Sequence, residues 1–102
     1  MKNLTLIIHR NAQQDISDQL RNIPQVTGFT FSPAEGHGAQ AENDPFLSAR
    51  DKVVGYTPRM RVDILLSDND LAIVLDILRT ERTGIEEQTL FWVSTVEQTG
   101  RF

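Results

Sequence analysis

The residues best suited to chemistry sit close together near the middle of the chain. Glu35, Gly36, His37 and Gly38 run consecutively, with Gln40 two positions on. Two glycines around a histidine suit a tight turn or bulge, where the backbone can approach an anion or a small effector. Glu35 and His37 are also donor types for a metal, with His9 as a third candidate. Two histidines without a cysteine and without helical spacing make a minimal ligand set, so no resident metal is expected. Arg59 and Arg61, two apart, would share one face of a strand, where each can meet a carboxylate on a neighbouring strand or an anionic ligand. Nucleophilic catalysis finds no support. None of Ser32, Ser48, Ser67 and Ser94 lies in a Gly-x-Ser-x-Gly elbow, and neither histidine has an evident partner, so the chain is not expected to be an enzyme and no cofactor is implied.

Composition narrows the partners. At 102 residues, with 39% hydrophobic and 24% charged residues, the chain has the size and make-up of one globular domain over residues 1–102. Ten Lys and Arg against fourteen Asp and Glu give a net charge of −4, which opposes attraction to nucleic-acid phosphates or anionic lipid. There is no cysteine, hence no disulfide and no thiolate site. The apolar stretch 4–8 is too short for a signal-peptide core or a membrane span, so a cytoplasmic protein without membrane insertion is expected.

The elements that must position these residues follow from hydrophobic periodicity. Leu4, Leu6 and Ile8 alternate with Thr5 and Ile7, a first strand apolar on both sides. Asn11 and Gln14 have capping-box spacing, and Ile16, Leu20 and Ile23 then form a helical stripe closed by Pro24. Val26, Phe29 and Phe31 suggest a short second strand that breaks or bends at the turn-rich residues 32–38. Residues 39–55 hold no period and read as a long loop, the kind of segment that carries function. Met60, Val62, Ile64 and Leu66 alternate with Arg61, Asp63 and Leu65 as a third strand from Arg59. Ser67 and Asp70 open a second helix with Leu71, Val74, Leu75 and Leu78 at i, i+3, i+4, i+7, expected to stop near Thr83 and Gly84. Residues 90–96 form a last strand. The order βαββαβ implies an α+β, ferredoxin-like fold: a four-stranded antiparallel sheet with two helices on one face. Apolar residues on both sides of the strands (Ile7 opposite Leu6, Leu65 opposite Ile64, Phe91 and Val93 opposite Leu90 and Trp92) point to self-association, because a monomer would leave the face without helices wet.

Ordered landmarks along almost the whole chain resemble the PII signalling family. Val26-Thr27-Gly28-Phe29 is similar to its turn into strand two. Gly36-His37-Gly38-Ala39-Gln40 is similar to its Gly-Phe-Gly-Arg-Gln at the base of the T-loop. Residues 41–55 match a T-loop in length, Tyr56-Thr57-Pro58-Arg59 stands at its Phe-Leu-Pro-Lys, and Arg82-Thr83-Gly84 resembles its Arg-Thr-Gly before the B-loop. The resemblance implies a homotrimer that binds effectors in clefts between subunits and contacts a target protein, including membrane transporters such as metal-efflux systems, through the T-loop. Carried onto this chain, the effector-binding residues would be Gly36, His37, Gly38, Gln40, Arg59, Thr83, Gly84 and Arg101, and the loop contacts Phe46, Arg50, Lys52 and Tyr56. The similarity of PII-like trimers to divalent-cation-tolerance proteins implies the alternative of a metal-binding protein using Glu35 and His37.

Departures from the family pattern refine that expectation. Where the B-loop has Gly-Asp-Gly-Lys around nucleotide phosphates, this chain has Glu86-Glu87-Gln88-Thr89, and two carboxylates repel a triphosphate. Ala39 replaces the arginine of the T-loop base, and Lys52 stands at the modifiable tyrosine. A ligand other than ATP is therefore expected. His9-Arg10-Asn11 faintly echoes the acylphosphatase arrangement but lacks its glycine-rich loop. The aromatic ribonucleoprotein motifs that RNA-binding βαββαβ modules carry on their central strands are missing from residues 59–66.

Overall fold

The computed structural model describes residues 1–37, 56–81 and 89–102. Strand β1 (Lys2–His9) is followed by a 3-10 turn (Arg10–Ala12), helix α1 (Gln13–Arg21), strands β2 (Thr30–His37) and β3 (Tyr56–Leu66), helix α2 (Asp68–Glu81) and strand β4 (Leu90–Thr95). The four strands form one sheet in the order β2-β3-β1-β4, antiparallel throughout. This is the expected ferredoxin-like arrangement.

Alternation along the strands sorts side chains onto two faces. Leu4, Leu6 and Ile8 of β1 stand opposite Ile64, Val62 and Met60 of β3, and all six are buried. Ile16 and Leu20 of α1 and Val74 and Leu78 of α2 complete this core, which Ile23 and Leu66 extend. Each such side chain removed from water contributes about 1.5–3 kcal/mol, and together they fix the helices to this face. Helix α2 begins as its sequence implies: the Ser67 hydroxyl accepts from the Asp70 amide at 3.2 Å, with Asp68 and Asp70 in the first turn.

Helix α1 begins differently from expectation. Asn11 and Gln14 form no capping box. The Asn11 amide donates instead to His9 Nδ1 at 3.1 Å, which closes the 3-10 turn, and Gln14 donates to Asp18 at 2.9 Å. Ala12, at the N-cap of α1, offers no side-chain acceptor.

The larger correction concerns β2. The strand does not break at residues 32–38 but runs from Thr30 to His37, and β3 begins at Tyr56, three residues before Arg59. Register explains it: among the described residues β2 pairs with β3 alone, so half of its amides need no ladder partner and Pro33, opposite Met60, is tolerated. Gly36 likewise lies in paired strand rather than in a turn, opposite Thr57.

Candidate functional site

The arms of the β2–β3 hairpin carry several of the candidate residues. His37 is registered with Tyr56, Gly36 with Thr57, and Ala34 with Arg59, which faces His9 of β1 on its other side. Gly36 and Arg59 therefore belong to the sheet face away from the helices, whereas Glu35 and His37 belong to the helix side. Arg101 is exposed beyond β4. Gly38, Gln40, Phe46, Arg50, Lys52, Thr83 and Gly84 lie outside the described residues, as do Glu86 and Glu87, and only the backbone of Tyr56 is described.

The metal alternative finds two of its side chains together and no third ligand among the described residues. Glu35 Oε2 lies 3.9 Å from His37 Nε2, both side chains well exposed. His9 cannot join them: β3 separates β1 from β2, and His9 is buried with its Nδ1 engaged by the Asn11 amide. Among the described residues no three His, Cys, Asp or Glu side chains come together as a metal site.

The uncovered face has a polar centre that the sequence did not announce. Arg61 Nε donates to Asp63 Oδ2 at 2.9 Å and its Nη2 to Oδ1 at 3.1 Å, a bidentate pair within one strand rather than with a neighbouring strand. Thr5 donates to the same carboxylate at 2.9 Å and Asn3 at 3.2 Å. The guanidinium hydrogen bonds hold the Asp63 carboxyl below its ordinary range; partial burial opposes this, and the Thr5 and Asn3 bonds assist it. The same hydrogen bond raises the pKa of Arg61. Arg61 also lies over the Trp92 ring, 5.6 Å from its centroid, and Thr5, between Asp63 and Trp92 in register, is fully buried. The signal was available: Arg61 and Asp63 fall on one phase of β3, as Asn3 and Thr5 do on β1. Ile7, Leu65, Leu90 and Trp92 surround this centre, and Leu65 and Leu90 are 46% and 60% exposed.

A second concave region lies along α1, where Arg10, Asn11, Gln13, Ser17 and Arg21 meet Phe29 and Phe31 around a cavity of about 580 Å³. Sequence reading placed the two phenylalanines on a strand and missed the cavity.

A four-stranded antiparallel sheet with two helices on one face defines the class: a ferredoxin-like α+β protein, whose sequence is similar to nitrogen regulatory proteins of the PII type. Over 99 residues, 96% of this chain and 88% of the relative, it is 26% identical to the nitrogen regulatory protein P-II of Rhizobium meliloti (strain 1021). It is 27% identical over 78 residues to the nitrogen regulatory protein GlnK of Escherichia coli (strain K12), covering 76% of this chain and 69% of GlnK. The chain belongs to the family described as "Protein of unknown function (DUF3240)", whose profile matches residues 1–102. The crystal structure of a DUF3240 family protein from Shewanella baltica OS155 superposes with a TM-score of 0.75 at 19% identity, covering 99% of this chain and 94% of that one, a likeness of fold.

Proposed function

We propose that residues 1–102 form a single PII-like regulatory domain that works as a homotrimer, binds a small effector in the clefts between subunits and contacts a target protein through residues 41–55. The observation that carries this reading is the collinear similarity to P-II across 96% of the chain. The half-apolar uncovered sheet face supports the assembly, because Ile7, Leu65, Leu90 and Trp92 would gain burial there while the Arg61–Asp63 centre already has its hydrogen bonds within one chain. Gly36, His37, Gly38, Gln40, Arg59, Thr83, Gly84 and Arg101 would form the effector cleft, and Phe46, Arg50, Lys52 and Tyr56 the contact to the target, for which the resemblance suggests a membrane transporter. A regulator of this kind catalyses no reaction and acts in the cytoplasm. Among the described residues no helix is long and apolar enough to cross a membrane.

Sedimentation velocity at micromolar concentration tests the assembly. A particle of three 11.5 kDa chains is expected, and a stable monomer overturns the architecture. A thermal-shift screen of nucleotides, 2-oxoglutarate, bicarbonate and divalent metals tests the effector, since a ligand that binds only the folded state raises its stability. ATP is expected to give little shift owing to Glu86 and Glu87, and a large shift overturns that reading of the B-loop. The shift produced by the true effector should disappear in Arg59→Ala.

A further inference from the structure

Helix α1 carries two stripes side by side. Ile16 and Leu20 enter the core, and beside them Gln13, Ser17 and Arg21 recur at intervals of four, which aligns them along one side of the helix. This second stripe lines the cavity of about 580 Å³, and Arg10 and Asn11 of the 3-10 turn contribute to the same lining. So do Phe29 and Phe31, packed edge to face with centroids 5.5 Å apart. The volume falls in the range of small-molecule sites, roughly 300–1,000 Å³.

Three further observations point to an anion. The chain carries a net charge of −4, yet the cavity is lined by two arginines and no carboxylate. Neither Arg10 nor Arg21 has an ion-pair partner among the described residues. Ser17 is only 7% exposed and lines the cavity, and its hydroxyl makes no hydrogen bond among the described residues. That donor is not committed to another of the described residues, so a ligand or water in the cavity can take it.

We propose that this cavity binds a small organic anion in which a carboxylate or phosphate is joined to a planar ring. Arg10 and Arg21 hold the anionic group, for which a guanidinium offers paired donors. The Ser17 hydroxyl donates to it, and the ring packs against Phe29 and Phe31. The site is contained in one chain and uses none of the residues assigned to the intersubunit cleft, so it stands independently of the proposed function.

Amide-resolved NMR titration of the full chain with phenyl phosphate and with phenylacetate tests this, with inorganic phosphate and acetate as ring-free probes. Saturable shifts centred on the amides of Gln13, Ser17 and Phe31 are expected, at least tenfold tighter for the phenyl compounds than for the ring-free ions. Preference between the two phenyl compounds tells a phosphate ester from a carboxylate. Arg10→Gln and Arg21→Gln, both at exposed positions, should each weaken binding about tenfold, equivalent to about 1.4 kcal/mol. Phe31→Leu should erase the preference for a ring, and unchanged spectra away from the cavity verify that each variant is folded. No saturable shift with either phenyl compound overturns the proposal. So does equal binding of phosphate and phenyl phosphate, or binding unchanged in the Arg10→Gln, Arg21→Gln double variant.

Discussion

The two faces of the sheet are built from the same strands by opposite means. On the helix side Leu4, Leu6, Ile8, Met60, Val62, Ile64 and Leu66 form an unbroken apolar layer whose stability comes from excluding water. On the other side a carboxylate with three side-chain donors sits among half-exposed apolar residues. The first face is complete over β1 and β3 within one chain, although Phe91 and Val93 of β4, in register with Leu6 and Leu4, stay 42% and 38% exposed. The second has its carboxylate satisfied, leaves Asn3 Oδ1 buried without a partner among the described residues and is apolar at its margins, so a covering partner would not have to satisfy a buried charge and would gain chiefly from the margin. That separates the roles: one face specifies the fold, and the other is available for assembly at little electrostatic cost.

Substitution of neighbours on opposite faces separates these roles most sharply. Ile64→Ala should lower stability by about 2–5 kcal/mol in urea denaturation, as expected for a fully buried aliphatic side chain. Leu65→Ala, one residue along and 46% exposed, should stay within about 0.5 kcal/mol in a monomer. A much larger loss at Leu65 that depends on protein concentration would show the second face to be buried by assembly. Next in size is Asp63→Ala, which strands the buried Thr5 hydroxyl and should cost about 1–3 kcal/mol by the same measurement. An unchanged urea midpoint would mean that the polar centre contributes nothing.

A pH series sharpens the same point. The folded-state pKa of Asp63 is depressed, so its contribution is complete above the ordinary carboxyl value of 3.8 and is lost as pH falls through the folded value. The urea midpoint should therefore drop below pH 3.8, and Asp63→Asn should remove part of that drop. Equal acid sensitivity of variant and parent would place the dependence on other carboxylates. The smallest effect is expected at Arg61 and Trp92. Arg61→Gln should red-shift or quench the fluorescence of the single tryptophan, and Trp92→Leu, which keeps apolar bulk but removes the aromatic ring, should lose about 0.5–1 kcal/mol as the cation–π contact goes. An unchanged emission spectrum would show that the guanidinium does not rest on the ring in solution.

How much of this was legible in the sequence depended on which physical term decided each element. β1, β3, α2 and β4 were readable because long apolar periods set them, and the Ser67 cap because its acceptor and amide are local. β2 was misread at Ser32, Pro33 and Gly36, where turn propensity is genuine but pairing with β3 along an edge overrides it. The capping box at Asn11 and Gln14 failed because a 3-10 turn offered the Asn11 amide to His9. The family and its fold were legible from ordered landmarks. The Arg61–Asp63 centre was only half legible, since period two puts the pair on one face but does not say that the partner lies on the same strand. The cavity beside α1 needs the approach of Phe29 and Phe31, a tertiary fact that no local pattern encodes, although the spacing of Gln13, Ser17 and Arg21 beside the apolar stripe was a usable hint.

The β2–β3 register has a consequence for how this chain can vary. His37 and Tyr56 are held side by side by the ladder, so residues 38–55 begin and end at one fixed point of the scaffold. Whatever sequence lies between, a doubling of its length adds only about 0.6 kcal/mol of closure entropy. The scaffold therefore presents a fixed pair of attachment points, between which sequence can be inserted, trimmed or grafted without renegotiating the core beneath.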